Sequence, residues 1–322
     1  MKILAMDIGK TKTFAVLVDE NGGVHAKAVS GPSGAWLEEE VIIKNVCEAI
    51  EGCLSKAGLR KDELDIVSIG WSDLDTRRDW ENAWKIVEKI GLRREKTIVE
   101  HDAVTAYYAV TLGEPGVAVI AGTGSIAYGV NRYGERMRSS GWGWLIGDEG
   151  SAYWIAVRAL NAVSRAYDGR GEETALAGKL KKYFSIEEEL EIMTKVYKEM
   201  RCNITEISKI AEIVDEAALE GDRVAKDILN EAGRELASCA LSIARRLRME
   251  DDDIVVGGVG SVFKSKTVNS TFNKTLRMKL PNARIREPLT GQVAIWGPIA
   301  VALKRQGLHI TADLMKKILE EV

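Results

Sequence analysis

Short apolar runs rich in β-forming residues open the chain, and turn residues separate them. Residues 2–8, 13–19 and 24–30 are predicted to form three strands, because β-forming residues in each are bounded by glycine- and asparagine-containing turns. Residues 36–57 follow the spacing of an amphipathic helix. Strands at 64–70 and 97–100 and helices at 77–90 and 103–112 follow in alternation. This order predicts a three-strand meander followed by αβ units.

The same order begins again at residue 116. The predicted elements are strands at 117–121, 125–131 and about 135–139, a long helix at 222–248, a strand at 253–256 ending in Gly257-Gly258, a helix at 262–279, a strand at 283–286 and a closing helix at 290–306. A duplicated meander with αβ units predicts an α/β protein of two lobes, with a ligand cleft between them. The predicted lobes are residues 1–114 and 115–294, and a closing segment at about 295–322 can pack back on the first lobe.

Two of the predicted turns have the composition of phosphate-binding loops. The first contains Gly9, Lys10, Thr11 and Thr13, and the second contains Gly122, Thr123, Gly124 and Ser125. Small residues between two strands let backbone N–H groups approach a phosphate closely. One such hairpin is an ordinary turn, but two that face each other could clamp one nucleotide. A P-loop does not explain the first turn, because Leu4 stands where that pattern requires glycine.

Composition narrows the classes of function. The 322 residues are 46% hydrophobic with a net charge of −3, so no basic footprint for nucleic acid and no apolar run of membrane-spanning length is present. The four cysteines are scattered, and the N-terminal residues read as a strand rather than as a signal peptide. Both features predict a cytoplasmic protein. Three histidines argue against a histidine-rich metal site. The expected partner is a small molecule, with no nucleic acid and no membrane, and a homodimer is a possible assembly.

Four segments resemble a known superfamily. They are residues 141–154 (GWGWLIGDEGSAYW), residues 112–116 with 121–125, residues 74–75 with 79–82, and residues 256–261 (VGGVGS). The chain resembles the superfamily of sugar kinases, actin and heat-shock chaperone ATPases. Within it, the chain looks like the branch of N-acetylglucosamine kinases, archaeal hexokinases and activators of 2-hydroxyacyl-CoA dehydratases. The resemblance implies two ribonuclease H-like lobes with an active-site cleft between them, and the use of ATP and Mg²⁺.

The resemblance also implies roles for two aspartates. Asp7 ends the first strand beside the first phosphate loop and matches the aspartate that holds Mg²⁺; an ordinary turn-capping aspartate is the alternative. Asp102 matches the base that accepts the proton of the sugar hydroxyl, and a helix N-cap is its structural alternative. Strand alternation places the neighbouring His101 on the opposite side, as a non-catalytic residue.

Several further residues match positions that bind the sugar or the nucleotide in the superfamily. The sugar set is Ser33, Asp75, Asp102, Gly141, Trp142, Gly143 and Asp148, and Gly257 and Gly258 belong to the adenosine loop. Trp142 can equally be a packing residue, and Asp148 can cap a helix at 149–168. The family loop after the third strand usually carries an asparagine, where this chain has Gly34, so Ser33 is a candidate substitute.

These features predict an ATP-dependent kinase of a hexose or hexose derivative, of the glucose, glucosamine or N-acetylglucosamine type. Arg77, Arg78 and Arg138 could bind a carboxylate, so a kinase of a 2-keto-3-deoxy sugar acid is an alternative. An activator ATPase of a 2-hydroxyacyl-CoA dehydratase is a further alternative, although no cysteine follows Gly257-Gly258 to hold an iron–sulfur cluster. The remaining alternative is a non-enzymatic regulator that uses this fold to sense a sugar.

Overall fold

The computed structural model describes residues 1–322, apart from the side chains of residues 292 and 293. The chain forms two compact units, Met1–Glu114 with Gly291–Val322, and Pro115–Thr290. We refer to them as unit 1 and unit 2.

Ten strands form two five-stranded sheets, one in each unit. The strands are β1 (Ile3–Ile8), β2 (Thr13–Val18), β3 (Val24–Ser30), β4 (Ile66–Trp71), β5 (Thr97–His101), β6 (Gly116–Ala121), β7 (Ser125–Val130), β8 (Arg136–Ser140), β9 (Val255–Val259) and β10 (Arg284–Ile285). The strand order is β3-β2-β1-β4-β5 in unit 1 and β10-β9-β6-β7-β8 in unit 2. Read from the other edge, the second order is the same as the first. The predicted duplicated meander is confirmed.

The helices cover these sheets. They are α1 (Glu39–Ala57), α2 (Arg77–Lys89), α3 (Asp102–Thr111), α4 (Ala152–Tyr167), α5 (Leu176–Phe184), α6 (Ile204–Ser208), α7 (Ile210–Leu219), α8 (Arg223–Arg246), α9 (Lys266–Lys279), α10 (Trp296–Arg305) and α11 (Ala312–Glu321). Short 3₁₀ turns lie at Lys61–Glu63, Arg94–Lys96, Glu189–Glu191, Ser261–Lys264 and Gly291–Ile295, and a π-helical turn lies at Thr194–Glu199. Within the described residues, no helix is long and apolar enough to cross a membrane.

The sheet of unit 1 is mixed, and its register positions the chemistry described below. β1 is antiparallel to β2 and parallel to β4, and β4 is parallel to β5. Apolar residues of β1, β2 and β4 are buried against α1, which turns its Ile42, Val46 and Ile50 inward. The ends of β1, β4 and β5 therefore meet at one edge of the sheet, because parallel strands share their carboxyl ends.

Unit 2 repeats this plan around a larger helical insertion. The long helix α8 packs on β6 and β7 and takes the place that α1 has in unit 1. Helices α4 to α7 add a second apolar layer that includes Ile155, Ile210 and Val214. The core of unit 2 is accordingly built mainly from helix–helix contacts behind one face of the sheet.

Several predicted boundaries differ from the structure, among them one strand end and two helix starts. β9 continues through Gly257 and Gly258 to Val259, because both glycines pair with β6. The closing helix begins at Trp296, after a 3₁₀ turn. The helix predicted from residue 149 begins at Ala152, because Ser151 accepts a hydrogen bond from the Trp154 N–H and is the N-cap.

Candidate active site

Acidic side chains collect where the parallel strands of unit 1 end. Asp7 of β1 pairs with Gly70 of β4, and Gly70 pairs with Glu100 of β5. Asp75 follows β4, and Asp102 follows β5 directly. This register brings together carboxylates that are up to 95 residues apart in sequence (102 − 7), and it is the reason that they form one group.

The surroundings of Asp7 disfavour the charged form of its carboxyl group. Burial raises the pKa of Asp7 to about 6, the charge of Asp102 adds to this effect, and Lys12 opposes it. A buried carboxylate with a second carboxylate nearby is poorly compensated, so a cation bound there would be stabilising. No group of three or more metal-ligating side chains occurs among the side chains that the structure describes.

Asp102 is the first residue of α3, and its neighbour His101 is the N-cap, so the predicted capping role of Asp102 is wrong. The imidazole Nδ1 of His101 accepts a hydrogen bond from the Ala103 N–H at 3.0 Å. Oδ1 of Asp102 is buried and lies 2.8 Å from Nδ1 of His101, which can donate to it only when that nitrogen carries a proton. When Nδ1 instead accepts from the Ala103 N–H, Oδ1 has no donor among the described residues. A buried carboxylate oxygen without a donor is costly, so the protonation state of His101 bears directly on Asp102.

His101 faces the same carboxylates, which contradicts the alternation argument. Its Nδ1 lies 2.8 Å from Oδ1 of Asp102, and its Nε2 lies 3.7 Å from Oδ1 of Asp75. Burial disfavours the imidazolium, but hydrogen bonding and the charges of Asp102 and Asp75 outweigh it and raise the pKa of His101 to about 10. Strand alternation fails here because the chain changes from strand to helix between His101 and Asp102.

The first phosphate loop is a tight hairpin in which the Gly9 N–H donates to the Lys12 carbonyl at 3.0 Å. Lys10 Nζ forms an ion pair with Asp73 at 3.0 Å, so this lysine is not simply solvated. Thr11 lies between Lys10 and Lys12 at the tip of the hairpin.

Thr13 and Ser33 are engaged with each other. The Thr13 hydroxyl donates to Ser33 Oγ at 2.8 Å, and both residues have no exposed surface. The Ser33 N–H donates to the Gly9 carbonyl, and Trp71 Nε1 donates to the Ser33 carbonyl. In this arrangement the two hydroxyls hold the residue-33 loop against the first hairpin, and neither is open to a ligand.

The second phosphate loop lies in unit 2, between β6 and β7. The Gly122 N–H donates to the Gly124 carbonyl at 2.9 Å, and the Gly122 carbonyl accepts from the Ala152 N–H at 2.8 Å. The Ser125 hydroxyl donates to the Glu149 carbonyl. Thr123 accepts at its carbonyl from the Tyr153 N–H. These bonds attach the loop to the start of α4 and fix its backbone.

The glycine and tryptophan segment follows β8 in unit 2. Gly141 and Gly143 have left-handed φ angles of 73° and 85°, which glycine adopts without strain. Asp148 is buried, accepts from the Gly143 N–H at 3.3 Å, and does not cap α4. A Cβ at Gly124 would lie 2.7 Å from Oδ2 of Asp148, so the aspartate is packed against the second phosphate loop. Trp142 is 68% exposed and is not a packing residue within this unit.

The third glycine segment differs from its prediction. Gly257 and Gly258 are ladder residues of β9, and the ring of Phe263 lies where a Cβ of Gly258 would be. Gly260 makes the turn instead, with a φ of 114°, and a Cβ there would overlap the carbonyl of Ala121. Gly260 lies in the predicted segment 256–261, of which only Gly257 and Gly258 are predicted site residues.

The three arginines considered for carboxylate binding are used differently. Arg77 is largely exposed and pairs with Glu81 at 2.9 Å, one turn along α2, and Arg78 is exposed. Arg138 donates to the Gly141 carbonyl at 2.9 Å, and its guanidinium lies 5.8 Å from the Trp142 ring centre. Arg138 therefore lies beside the predicted sugar-binding residues Gly141 and Trp142.

Comparisons with known proteins find relatives that match most of the chain. The chain is 31% identical over 288 residues to the N-acetylmuramic acid/N-acetylglucosamine kinase of Clostridium acetobutylicum, covering 88% of this chain and 92% of the relative. It is 28% identical over 296 residues to the N-acetyl-D-glucosamine kinase of Dictyostelium discoideum, with the same coverage of 88% and 92%.

A solved structure of a proposed N-acetylglucosamine kinase from Chromobacterium violaceum shares the fold. Its TM-score is 0.74 at 23% identity, and the match covers 93% of this chain and 98% of that one. The profile of the BadF/BadG/BcrA/BcrD ATPase family matches residues 4–295. The chain is a member of the BadF/BadG/BcrA/BcrD ATPase family.

Proposed function

We propose that this protein is an ATP-dependent sugar kinase, which transfers the γ-phosphate of ATP to a hydroxyl of a hexose or hexose derivative of the glucose, glucosamine or N-acetylglucosamine type. The observation that carries the proposal is the group of carboxylates in unit 1, in which Asp102 at the start of α3 is close enough to Asp7 for their charges to interact. The relatives named as kinases of N-acetylglucosamine support the same reaction.

The reaction requires a base for one proton. The sugar oxygen attacks the γ-phosphorus, the bond from that phosphorus to the bridging oxygen breaks, and ADP leaves. The hydroxyl proton passes to Oδ1 of Asp102. A positioned base of this kind contributes roughly 10²–10⁴-fold to the rate.

Asp7 is the residue proposed to hold Mg²⁺, directly or through water. Bound there, the cation would supply the positive charge that the triphosphate and the Asp7 carboxylate both need. Burial favours the protonated form of the Asp7 carboxyl and raises its pKa to about 6. A cation bound in place of that proton would offset the free-energy cost of a buried negative charge.

The two glycine hairpins are proposed to bind the phosphates of ATP. In each of them the backbone is fixed by hydrogen bonds of its own unit, to Lys12 in the first and to Ala152 in the second. A fixed backbone loses little entropy when a phosphate binds. In unit 2, Gly257, Gly258 and the turn residue Gly260 are the proposed neighbours of the adenosine.

The sugar site is proposed to include Asp75 with Asp102 in unit 1, and Gly141, Trp142, Gly143 and Asp148 in unit 2. Ser33 is proposed to act through its backbone and its bond to Thr13 rather than through a direct contact, because its side chain is fully buried. A cytoplasmic location and a homodimer are part of the proposal.

The deciding experiment measures ADP release against a panel of glucose, glucosamine, N-acetylglucosamine and 2-keto-3-deoxygluconate, with Mg²⁺ present. We expect sugar-dependent ADP release with a neutral or amino sugar, and formation of a sugar phosphate detected by mass spectrometry. Turnover with the sugar acid alone would favour the alternative sugar-acid kinase.

The activator alternative has a separate test. The cysteines are Cys47, Cys53, Cys202 and Cys239, and burial raises the pKa of Cys53 and Cys239 to about 11, which disfavours thiolate ligands. We expect anaerobically purified protein to be colourless and active without iron. A stoichiometric iron–sulfur absorption band together with sugar-independent ATP hydrolysis would support the activator.

A further inference from the structure

The loop after β4 carries an aspartate that the sequence did not single out. Asp73 lies between Trp71 at the end of β4 and Asp75, and its φ of 66° is left-handed. Aspartate and asparagine adopt this conformation more readily than most residues.

The carboxylate of Asp73 occupies space that Gly34 leaves open. A Cβ at Gly34 would lie 3.1 Å from Oδ2 of Asp73, tighter than ordinary contact, and 3.6 Å from Cγ of Lys10. A larger side chain at residue 34 and the carboxylate of Asp73 therefore compete for the same place. The carboxylate of Asp73 can take this position because residue 34 is a glycine.

Lys10 holds the carboxylate there. Its Nζ lies 3.0 Å from Oδ1 of Asp73, and the side chain of Asp73 is only 10% exposed, against 45% for Lys10. The other oxygen, Oδ2, faces the space beside Gly34. Burial raises the pKa of Asp73, Lys10 opposes this, and Asp102 and Asp75 are close enough to add to the rise. Asp73 thus belongs to the same acidic group as the proposed base.

We propose that Asp73 is a specificity-determining residue of the sugar site, whose carboxylate accepts hydrogen bonds from sugar hydroxyl or amino groups and disfavours sugars that carry a carboxylate. The proposal rests on the proposed kinase function. Its ligand class is a neutral hexose or a protonated amino sugar.

Charge explains the selectivity. Five charged groups lie near the proposed sugar position. They are the carboxylates of Asp73, Asp75 and Asp102 and the cations of Lys10 and His101. With His101 protonated, these five groups sum to one negative charge, since three carboxylates face two cations. Removal of a unit charge within about 10 Å of a charged sugar changes its binding by about tenfold at an effective dielectric constant of about 20.

A charge series of sugars tests the proposal. We would measure kcat/KM for protonated glucosamine against glucose, and for N-acetylmuramic acid against N-acetylglucosamine, in wild type and Asp73→Asn. For a sugar that is not phosphorylated, its inhibition constant against the neutral sugar replaces kcat/KM. Asp73→Asn should lower the glucosamine-to-glucose ratio about tenfold and raise the N-acetylmuramic acid ratio about tenfold, with less than about a twofold change in KM for ATP.

Two further variants test the carboxylate of Asp73 and the space that it occupies. Asp73→Gly tolerates the left-handed φ and removes the carboxylate, so it should shift both ratios in the same direction as Asp73→Asn. Gly34→Ala keeps the charge but crowds Oδ2, and should also shift both ratios. Asp252→Asn breaks a comparable ion pair, to Arg132 at 2.9 Å, in unit 2, and is the matched control that should leave both ratios unchanged.

The outcomes distinguish the two proposals. Turnover of a neutral sugar with ratios that stay within twofold of wild type in Asp73→Asn and Asp73→Gly would overturn the role of Asp73 and leave the kinase assignment standing. A wild type that prefers N-acetylmuramic acid to N-acetylglucosamine would also overturn it. Failure of every sugar to be phosphorylated would overturn the proposed function, and the role of Asp73 with it.

Discussion

Nδ1 of His101 lies 2.8 Å from Oδ1 of Asp102, and the same nitrogen accepts a hydrogen bond from the Ala103 N–H. One nitrogen cannot donate to the first and accept from the second at the same time. The protonated ring therefore pairs with Asp102, and the neutral ring caps α3. The protonation state of one imidazole therefore decides whether its Nδ1 pairs with Asp102 or caps α3.

The raised pKa of His101 predicts how stability depends on pH. Its folded pKa of about 10 exceeds the unfolded value of about 6.5, so the stabilisation is fully present below about 6.5 and is lost as the pH rises towards 10. Urea unfolding from pH 6 to 10 should show wild type losing its advantage over His101→Gln as the pH rises. His25→Gln, which removes an exposed contact to Asp19, is the control and should follow wild type.

Asp102→Asn should separate chemistry from binding. The amide keeps the size of the side chain but cannot take the hydroxyl proton, so kcat should fall roughly 10²-fold or more with KM values near those of wild type. Stopped-flow or coupled-assay kinetics would measure this. A near-normal kcat would exclude Asp102 as the base.

Asp7→Asn should stabilise the ligand-free protein and impair the enzyme. Removal of a buried charge whose pKa is raised to about 6 should raise the free energy of unfolding at neutral pH by on the order of 1–3 kcal/mol. Mg²⁺ with ATP should raise the melting temperature of wild type but much less that of the variant. Equal stabilisation of both proteins by Mg²⁺–ATP would remove Asp7 from the cation site.

Gly260→Ala and Gly122→Ala form a matched pair in unit 2. An added methyl group at Gly260 meets a φ of 114° and the carbonyl of Ala121, so it should destabilise the unit by about 2 kcal/mol or more. At Gly122 no atom lies within 4 Å of an added Cβ, so stability should hardly change. An increase in KM for ATP in the stable Gly122→Ala variant would report on the phosphate loop alone.

The sequence predicted the duplicated topology because short apolar runs and the glycine turns between them are local signals. It also identified Asp7 and Asp102 as candidate site residues, since each lies at the end of a predicted strand and matches a superfamily position. It placed His101 wrongly, because alternation applies within a strand and His101 stands at the change to α3. Asp73 could not be found in this way. Its importance depends on space beside Gly34, which is 39 residues away in sequence (73 − 34) and adjacent only in the fold.

Unit 1 is built from two separate stretches of the chain, and this affects how it folds during translation. Residues 115–290 of unit 2 are continuous, so its core can close while later residues are still being made. Unit 1 emerges first but waits for α10, whose buried Trp296 and Ile299 belong to a helix that packs on α3, β4 and β1. During translation the earlier sheet therefore exposes apolar surface longer than the later one, and a chaperone that acts on the nascent chain should engage residues of β1 and β4 until α10 has emerged.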